Sequence, residues 1–341
     1  MGLIIDLSYE ELESYFNLLE QPKYRAAQVW DWIFKKKVLD FEKMSNLPPK
    51  LKETLKANFD PFPLVETVST SQDFTEKYLW RLSDGELIES VLLHYLTSYK
   101  SWVSACISTQ VGCPVRCSFC QTGLSGFRRN LTAGEILAQV LGMEIHSGVQ
   151  VSRVLFMGMG EPLLNFKATL KSIKALIHEK GYNFSGRKIT LSTVGTLELE
   201  DFVESGLRIE IAYSLHFPEE KQRREMIPYP RLLSIEKALS LLENYTLQAG
   251  RNVSIEYLML DNVNDTFEHA QKLVKLLKGK PFFVNLLPFN PVASSFLASR
   301  PGKISKFRQI LQDAGIKATI RKPRGLEIEA ACGQLRLKYE K

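Results

Sequence analysis

The sequence predicts an α/β fold: a partial, TIM-like barrel of six strand–helix units behind a small N-terminal helical domain. Three features carry that expectation. From Trp102 onward, short runs rich in β-branched residues alternate with amphipathic stretches, as parallel strands alternate with crossover helices. Glycines, cysteines and polar residues gather just after those runs, where a barrel of this kind keeps its chemistry. The first sixty or so residues carry helical signals only.

In chain order, Ser8 and Glu11 have capping-box spacing and start a first helix. Pro22 precedes an amphipathic run from Tyr24 to Lys37, and a third helix follows Pro48-Pro49. Residues from about Phe74 to Leu96 alternate in strand fashion, as a connector into the main domain. Barrel strands are expected at Trp102–Ser108, Val154–Met157, Lys188–Ser192, Ile209–Ser214, Val253–Met259 and Phe282–Leu287, with helices such as Thr132–His146 and Ser234–Gln248 between them. Six units are too few to close an eight-stranded barrel, so the sheet should stay open. The division that follows is a helical accessory domain at 1–65, a β connector at 66–98, the barrel core at 99–320 and a C-terminal segment at 321–341.

With 341 residues, 45% of them apolar, the chain can bury one large core with appendages. A net charge of +6 is modest, but residues 300–341 hold eleven Lys or Arg against four Asp or Glu. Such a run draws phosphate backbones, and it also fits a plain solvated face. Residues 1–60 balance nine basic against ten acidic side chains, so Lys35, Lys36 and Lys37 carry no charge argument for RNA. The acidic N-terminus suits neither a secretory nor a transit peptide, Asp6 stands where a myristoylation signal wants Ser or Thr, and no apolar stretch is long enough to span a bilayer. The expectation is a cytoplasmic protein with no membrane partner. Five cysteines, an odd number and mostly clustered, argue against a disulfide framework and for a metal or redox role in a reducing compartment.

The cluster is Cys113-Pro-Val-Arg-Cys117-Ser-Phe-Cys120, directly after the first barrel strand. A structural zinc site wants four closed ligands, and no fourth Cys or His stands nearby in sequence. Three thiolates suit a [4Fe-4S] cluster with one iron left open to chelate a small molecule; in this spacing that molecule is S-adenosylmethionine. Electron transfer into its sulfonium releases a 5′-deoxyadenosyl radical. A zinc knuckle or buried structural thiols are the competing readings. After the second strand, Gly158-Met159-Gly160-Glu161-Pro162 lets the backbone approach a ligand at Gly160, and Glu161 can take an ammonium group, in likeness to the "GEP" motif of radical S-adenosylmethionine proteins. Ser192, the Ser214-Leu215-His216 run and Asn290 offer partners for ribose, carboxylate and adenine, although each alone reads as an ordinary turn residue. Thr132 with Glu135 reads as a second capping box, and Asn264 with Asp265 as a turn before a helix.

Cys106 and Cys332 stand apart, and lone cysteines are commonly small buried hydrophobes. Their surroundings decide otherwise. Cys106-Ile-Ser-Thr-Gln-Val-Gly-Cys113, Arg129-Asn-Leu-Thr132, Met157-Gly-Met-Gly-Glu-Pro-Leu-Leu-Asn165, Ser214-Leu-His216, Val284-Asn-Leu-Leu-Pro-Phe-Asn-Pro291 and Ala331-Cys-Gly-Gln-Leu335 resemble the RlmN/Cfr family of radical RNA methyltransferases, over nearly the whole chain. The resemblance implies that Cys332 takes a methyl group from one S-adenosylmethionine, while a second, bound at the cluster, supplies the radical that removes hydrogen from that methyl. The carbon then adds to an adenine ring. Cys106 attacks the Cys332 sulfur and releases methylated RNA, leaving a disulfide for an external reductant; an external electron donor feeds the cluster. Glu89, within Gly85-Glu-Leu-Ile-Glu89-Ser-Val91, matches the family's proton acceptor.

Implied partners are 23S rRNA and tRNA, with the enzyme a monomer. Pro162-Leu-Leu-Asn165 resembles the RlmN branch, which acts on adenine carbon 2; the Cfr branch, acting on carbon 8, has alanine for that proline. Glu327 and Glu329 stand where the RlmN pattern is rich in aspartate. Carbon-8 methylation, a non-catalytic zinc RNA-binding protein and a radical enzyme with a small-molecule substrate are the alternatives.

Overall fold

The computed structural model describes residues 2–96, 101–292 and 294–335. It opens with α1 (Tyr9–Leu18), α2 (Tyr24–Phe34) and α3 (Pro49–Asn58). The first capping box forms: Ser8 Oγ accepts from Glu11 N–H, and the Glu11 carboxylate accepts from Ser8 N–H at 2.7 Å. α2 stops short of the expected Lys37 because that residue turns left-handed, at φ 58°, and carries its ammonium to Glu144, 2.7 Å away.

Strands follow: β1 (Leu64–Thr70), β2 (Glu76–Arg81), β3 (Leu87–Leu96), β4 (Ser101–Cys106) and β5 (Gln110–Gly112). The short α4 (Gln121–Leu124) leads to β6 (Phe127–Asn130), which pairs with β5. Helix and strand then alternate through α5 (Ala133–Ser147), β7 (Arg153–Phe156), α6 (Phe166–Ile177), β8 (Ile189–Thr193), α7 (Leu199–Glu204), β9 (Glu210–Ser214), α8 (Glu220–Met226), α9 (Ile235–Ala249), β10 (Val253–Met259), α10 (Phe267–Leu277), β11 (Phe282–Pro288), α11 (Pro301–Asp313) and β12 (Ala318–Ile320).

Ten of these strands make one sheet in the order β1-β2-β3-β4-β7-β8-β9-β10-β11-β12. From β1 to β4 the pairing is antiparallel; from β4 onward it is parallel. Among the described residues β1 and β12 stay unpaired with each other, so the barrel is open, as the six expected strands implied. β12 adds a further parallel strand; at three residues it is too short to show periodicity. β1–β3 are hydrogen-bonded edge to edge onto β4, and β1, starting at Leu64, is too exposed to alternate cleanly. The end of the expected connector, residues 97–98, and the basic residues Arg336, Lys338 and Lys341 lie outside the described residues.

Helices and sheet share one core, in which Phe16, Trp30 and Phe34 join Ile136, Leu141 and Leu176. The N-terminal unit is also pinned by a charge: one Asp6 carboxylate oxygen accepts from Gly134 N–H (2.7 Å) in the first turn of α5, the other from Leu3 N–H (2.9 Å). A carboxylate at a helix N-terminus meets unpaired donors and the positive end of the dipole. Asp6→Ala is expected to cost roughly 1–2 kcal/mol and lower the melting temperature by a few degrees. Calorimetry of the two proteins in parallel checks it; an unchanged transition would mean that apolar packing alone seats the N-terminal helices.

Candidate active site

Two cavities meet at the carboxyl ends of the parallel strands and share the side walls at Cys120, Met157, Leu287 and Cys332. The first, about 790 Å³ of space partly open to solvent, is lined by Cys113, Cys117, Cys120, Gly160, Glu161, Ser192, Ser214 and His216. The second is lined by Val91, Tyr95, Cys106, Arg321, Arg324 and Cys332.

Tight turns shape the cysteine loop. Gly112 takes φ 77°, and a Cβ there would come within 2.0 Å of the Gly126 carbonyl oxygen, the acceptor of Cys113 N–H at 2.7 Å. Cys120 N–H donates to Cys117 O (3.2 Å), and Ser118 N–H to Met226 O (3.0 Å) at the end of α8. Burial and the charges of their neighbours push all three thiols up. Such a concentration of thiols is stable as thiolates only with a cation among them. Among the described residues no three His, Cys, Asp or Glu groups close around one metal-ion position. The three thiols instead wall a cavity that extends to the oxygens of Glu161, Ser192 and Ser214. That arrangement fits a cluster with an open iron facing a small polar molecule better than a closed zinc tetrahedron.

Around that cavity, Gly160 has φ 105°, and a Cβ would lie 2.7 Å from that of Gln110, so the backbone comes as close as only glycine allows. Glu161 is buried, with Leu163 N–H (3.2 Å) on one oxygen and Val194 N–H (2.9 Å) on the other. Its burial pushes the carboxyl up to about 7 despite those donors. Ser192 and Ser214 Oγ stand 3.4 Å apart on neighbouring strands. His216 accepts from Leu258 N–H at Nδ1 (3.2 Å); burial, helped by the Arg223 guanidinium, holds it neutral with a pKa of about 3.

Two of the expected cofactor residues present no side chain to the lining of the first cavity. Leu215 is fully buried in the core and lines neither cavity. Asn290 lines the second cavity, where its Nδ2 donates to the Cys332 carbonyl at 3.0 Å. The segment carrying Cys332 is further held by Gln121 N–H to Gly333 O (2.8 Å), Thr122 Oγ1 to Leu335 O (2.7 Å) and Gln334 Nε2 to Pro291 O (2.9 Å). α4, directly after the last cluster cysteine, thereby docks Cys332 onto the wall between the cavities.

Cys106 ends β4 opposite Val91 and is free, as is Cys332. Burial, together with charge on Cys332, pushes the Cys106 thiol up to about 12, while Arg321 pulls the other way. Glu89 lies on β3 with its side chain 1% exposed, paired with Lys77 Nζ at 3.1 Å. It lines neither cavity, but it shares a strand face with Val91 and Tyr95, which do. The sequence reading missed Arg321, Tyr95 and the buried Arg223. A basic residue after a short strand and an aromatic inside one have no local signature.

Residues 3–60 match the family described as the ribosomal RNA large subunit methyltransferase N-terminal domain, and residues 107–277 match the radical SAM superfamily. A protein of Thermotoga neapolitana named "Probable dual-specificity RNA methyltransferase RlmN" is 46% identical over 99% of this chain and 98% of its own length. The chain belongs to the RlmN family of radical SAM RNA methyltransferases. A namesake from Carboxydothermus hydrogenoformans is 40% identical over 99% of both chains. The crystal structure of a radical SAM methyltransferase from Sphaerobacter thermophilus superposes with a TM-score of 0.91 at 36% identity, covering 98% of this chain and 99% of that one. Like other RlmN-family and radical SAM proteins, the chain uses a [4Fe-4S] cluster and S-adenosylmethionine, and the three-thiol cavity is where both fit. Among the described residues no helix is long and apolar enough to cross a membrane.

Proposed function

We propose that this chain methylates carbon 2 of an adenosine in 23S rRNA, and of the adenosine beside the anticodon in tRNA, through a methylated Cys332. The observation that carries the reading is the position of Cys332, on the wall shared by the three-thiol cavity and the cavity holding Cys106. From there one sulfur can meet a methyl donor on one side and an adenine on the other. With the cluster bound at Cys113, Cys117 and Cys120, electron transfer into S-adenosylmethionine supplies the 5′-deoxyadenosyl radical.

The remaining steps belong to side chains. Glu161 takes the cofactor's ammonium, and Ser192, Ser214 and His216 face its other polar groups across the cavity. Cys332 accepts the methyl on Sγ and loses one hydrogen atom from it to the radical; the methylene carbon bonds to the ring, and the single electron left on the adduct passes back to the cluster, a one-electron acceptor. Glu89 receives the proton leaving the ring carbon. Cys106 Sγ, as the thiolate, then bonds to Cys332 Sγ; the breaking carbon–sulfur bond leaves its electron pair on the methylene carbon, which takes up a proton to become the methyl group, and an external two-electron reductant restores both thiols. In this reading the helical unit at 1–65 and the strands at 66–98 are accessories to the core at 99–320, residues 321–341 deliver the methyl carrier, and the enzyme works as a cytoplasmic monomer.

The Glu161 role has a pH signature. Its carboxyl, raised to about 7 by burial, must be ionised to receive an ammonium, so protons compete with the cofactor below that pH. Affinity for S-adenosylmethionine is expected to tighten from about pH 6 to pH 8 and then level off, by up to about tenfold per unit on the acid side. Equilibrium dialysis across that range measures it, and a flat profile would remove Glu161 from the ammonium site.

The function itself is tested by mass spectrometry of nucleosides from unmodified rRNA and tRNA, incubated anaerobically with reconstituted protein, reductant and S-adenosylmethionine. Appearance of 2-methyladenosine supports the proposal, and its presence in one or both RNAs sets the substrate range. Appearance of 8-methyladenosine instead overturns the carbon-2 assignment.

A further inference from the structure

One face of the β3–β4 hairpin forms a ladder. Val91 pairs with Cys106, Leu93 with Ser104 and Tyr95 with Trp102, and side chains two apart on a strand share a face. The aromatic rung therefore lies four residues back along β4 from Cys106, roughly 13 Å at the usual strand rise. Tyr95 and Trp102 are stacked face to face, with ring centroids 4.9 Å apart and planes within 10°. Both are partly exposed.

Cations cover the two outer faces of the pair. The Arg324 guanidinium stands 4.6 Å over Tyr95 and is tied down by a 2.6 Å hydrogen bond to the His94 carbonyl. Arg153 stands 5.5 Å over Trp102 and is exposed. Tyr95, Arg321, Lys322 and Arg324 line the same cavity as Cys106 and Cys332. Trp102 and Arg153 are not among those lining residues; an aromatic pair that continues from Tyr95 in the lining to Trp102 beyond it, beside several cations and with no acidic side chain among the lining residues, matches a nucleotide: the base stacks and the phosphate meets the cations.

We propose that Trp102, backed by Tyr95, is the stacking platform for a nucleotide neighbouring the adenosine that Cys332 methylates. Arg153 yields the outer face of Trp102 to that base and turns to its phosphate, while Arg324 keeps Tyr95 fixed behind. This rests on the RNA reading above and deepens it. An adenine reaching Cys332 must leave its helix, and a held neighbour offsets part of that unstacking.

The test is an affinity cycle on the full chain with its cluster assembled and no S-adenosylmethionine present. Labelled stem-loop RNAs carry an abasic site at each position flanking the target in turn, and dissociation constants come from fluorescence anisotropy at one salt concentration. Trp102→Leu should weaken intact RNA about tenfold, Trp102→Phe should recover most of that loss, and one abasic RNA should bind the wild type about tenfold more weakly yet bind Trp102→Leu no worse than intact RNA does. Losses that multiply independently at every position would overturn the platform and leave the pair as a brace for the hairpin. Coupled losses from a wild-type protein that makes no methyladenosine would leave the platform standing and sink the methylation reading instead.

Discussion

Cys332→Ala is expected to abolish RNA methylation, by at least about a thousandfold, while the protein still assembles its cluster and binds S-adenosylmethionine. The size of the effect follows from the chemistry. An adenine ring carbon offers no lone pair to an ordinary methyl donor, so without a sulfur to carry the carbon there is no weaker version of the same route. The specificity of the loss follows from placement. Cys332 lies outside the cluster loop and is itself exposed; its segment is seated through backbone groups, with Gln121 N–H on Gly333 O, Thr122 Oγ1 on Leu335 O and Asn290 Nδ2 on Cys332 O. Removing one sulfur disturbs none of these. Iron content and the visible spectrum of anaerobically reconstituted protein report the cluster, and nucleoside mass spectrometry reports the product. Methylated adenosine from the variant would sink the methyl-carrier role; loss of iron would mean that Cys332 is a cluster ligand and not a carrier.

The legible parts of this chain were those written in consecutive residues. The three-cysteine loop, the glycine turn at Gly160 and the parallel strands each have a local signature, and burial on both faces makes β10 a continuous run. The capping boxes at Ser8 and Thr132 form for the same reason. What stayed hidden depends on tertiary contact. Nothing between Cys120 and Cys332 in sequence says that they share a wall; hydrogen bonds from α4 and Asn290 bring that about. Asn290, which reads as a cofactor contact because it follows a strand, also holds the Cys332 segment through its Nδ2, a bond that no local pattern shows. Leu215 sits between two residues that line the cavity, and its own side chain is buried in the core. Glu89 and Cys106 stand far apart in sequence, but the register sets Val91 against Cys106, so Glu89 lies one rung further in on the same face.

Cys106→Ala should give the opposite phenotype to Cys332→Ala: one round of chemistry, then RNA held covalently on Cys332. In the wild type the Cys106 thiolate forms a sulfur–sulfur bond to Cys332 as the carbon–sulfur bond breaks; alanine offers no electron pair, so the adduct persists. A slowly migrating, RNase-sensitive band on a denaturing gel is the expected sign, and normal migration would remove Cys106 from the release step. The electrostatics add a second readout. Burial first, and then the repulsion that an ionised Cys332 would add, raise the Cys106 thiol to about 12, opposed by Arg321. Once Cys332 is a thioether it carries no charge, that contribution vanishes, and Arg321 remains beside a thiol that is now easier to ionise. The thiol is still raised by burial, so its reactive fraction grows with alkali, close to tenfold per pH unit while the pH stays below its pKa. Decay of the wild-type adduct is therefore expected to accelerate between about pH 7 and pH 9, and Arg321→Met should slow it at each pH by removing a cation that favours the thiolate. An adduct that decays equally fast at both ends of that range would mean that ionisation of Cys106 does not limit release.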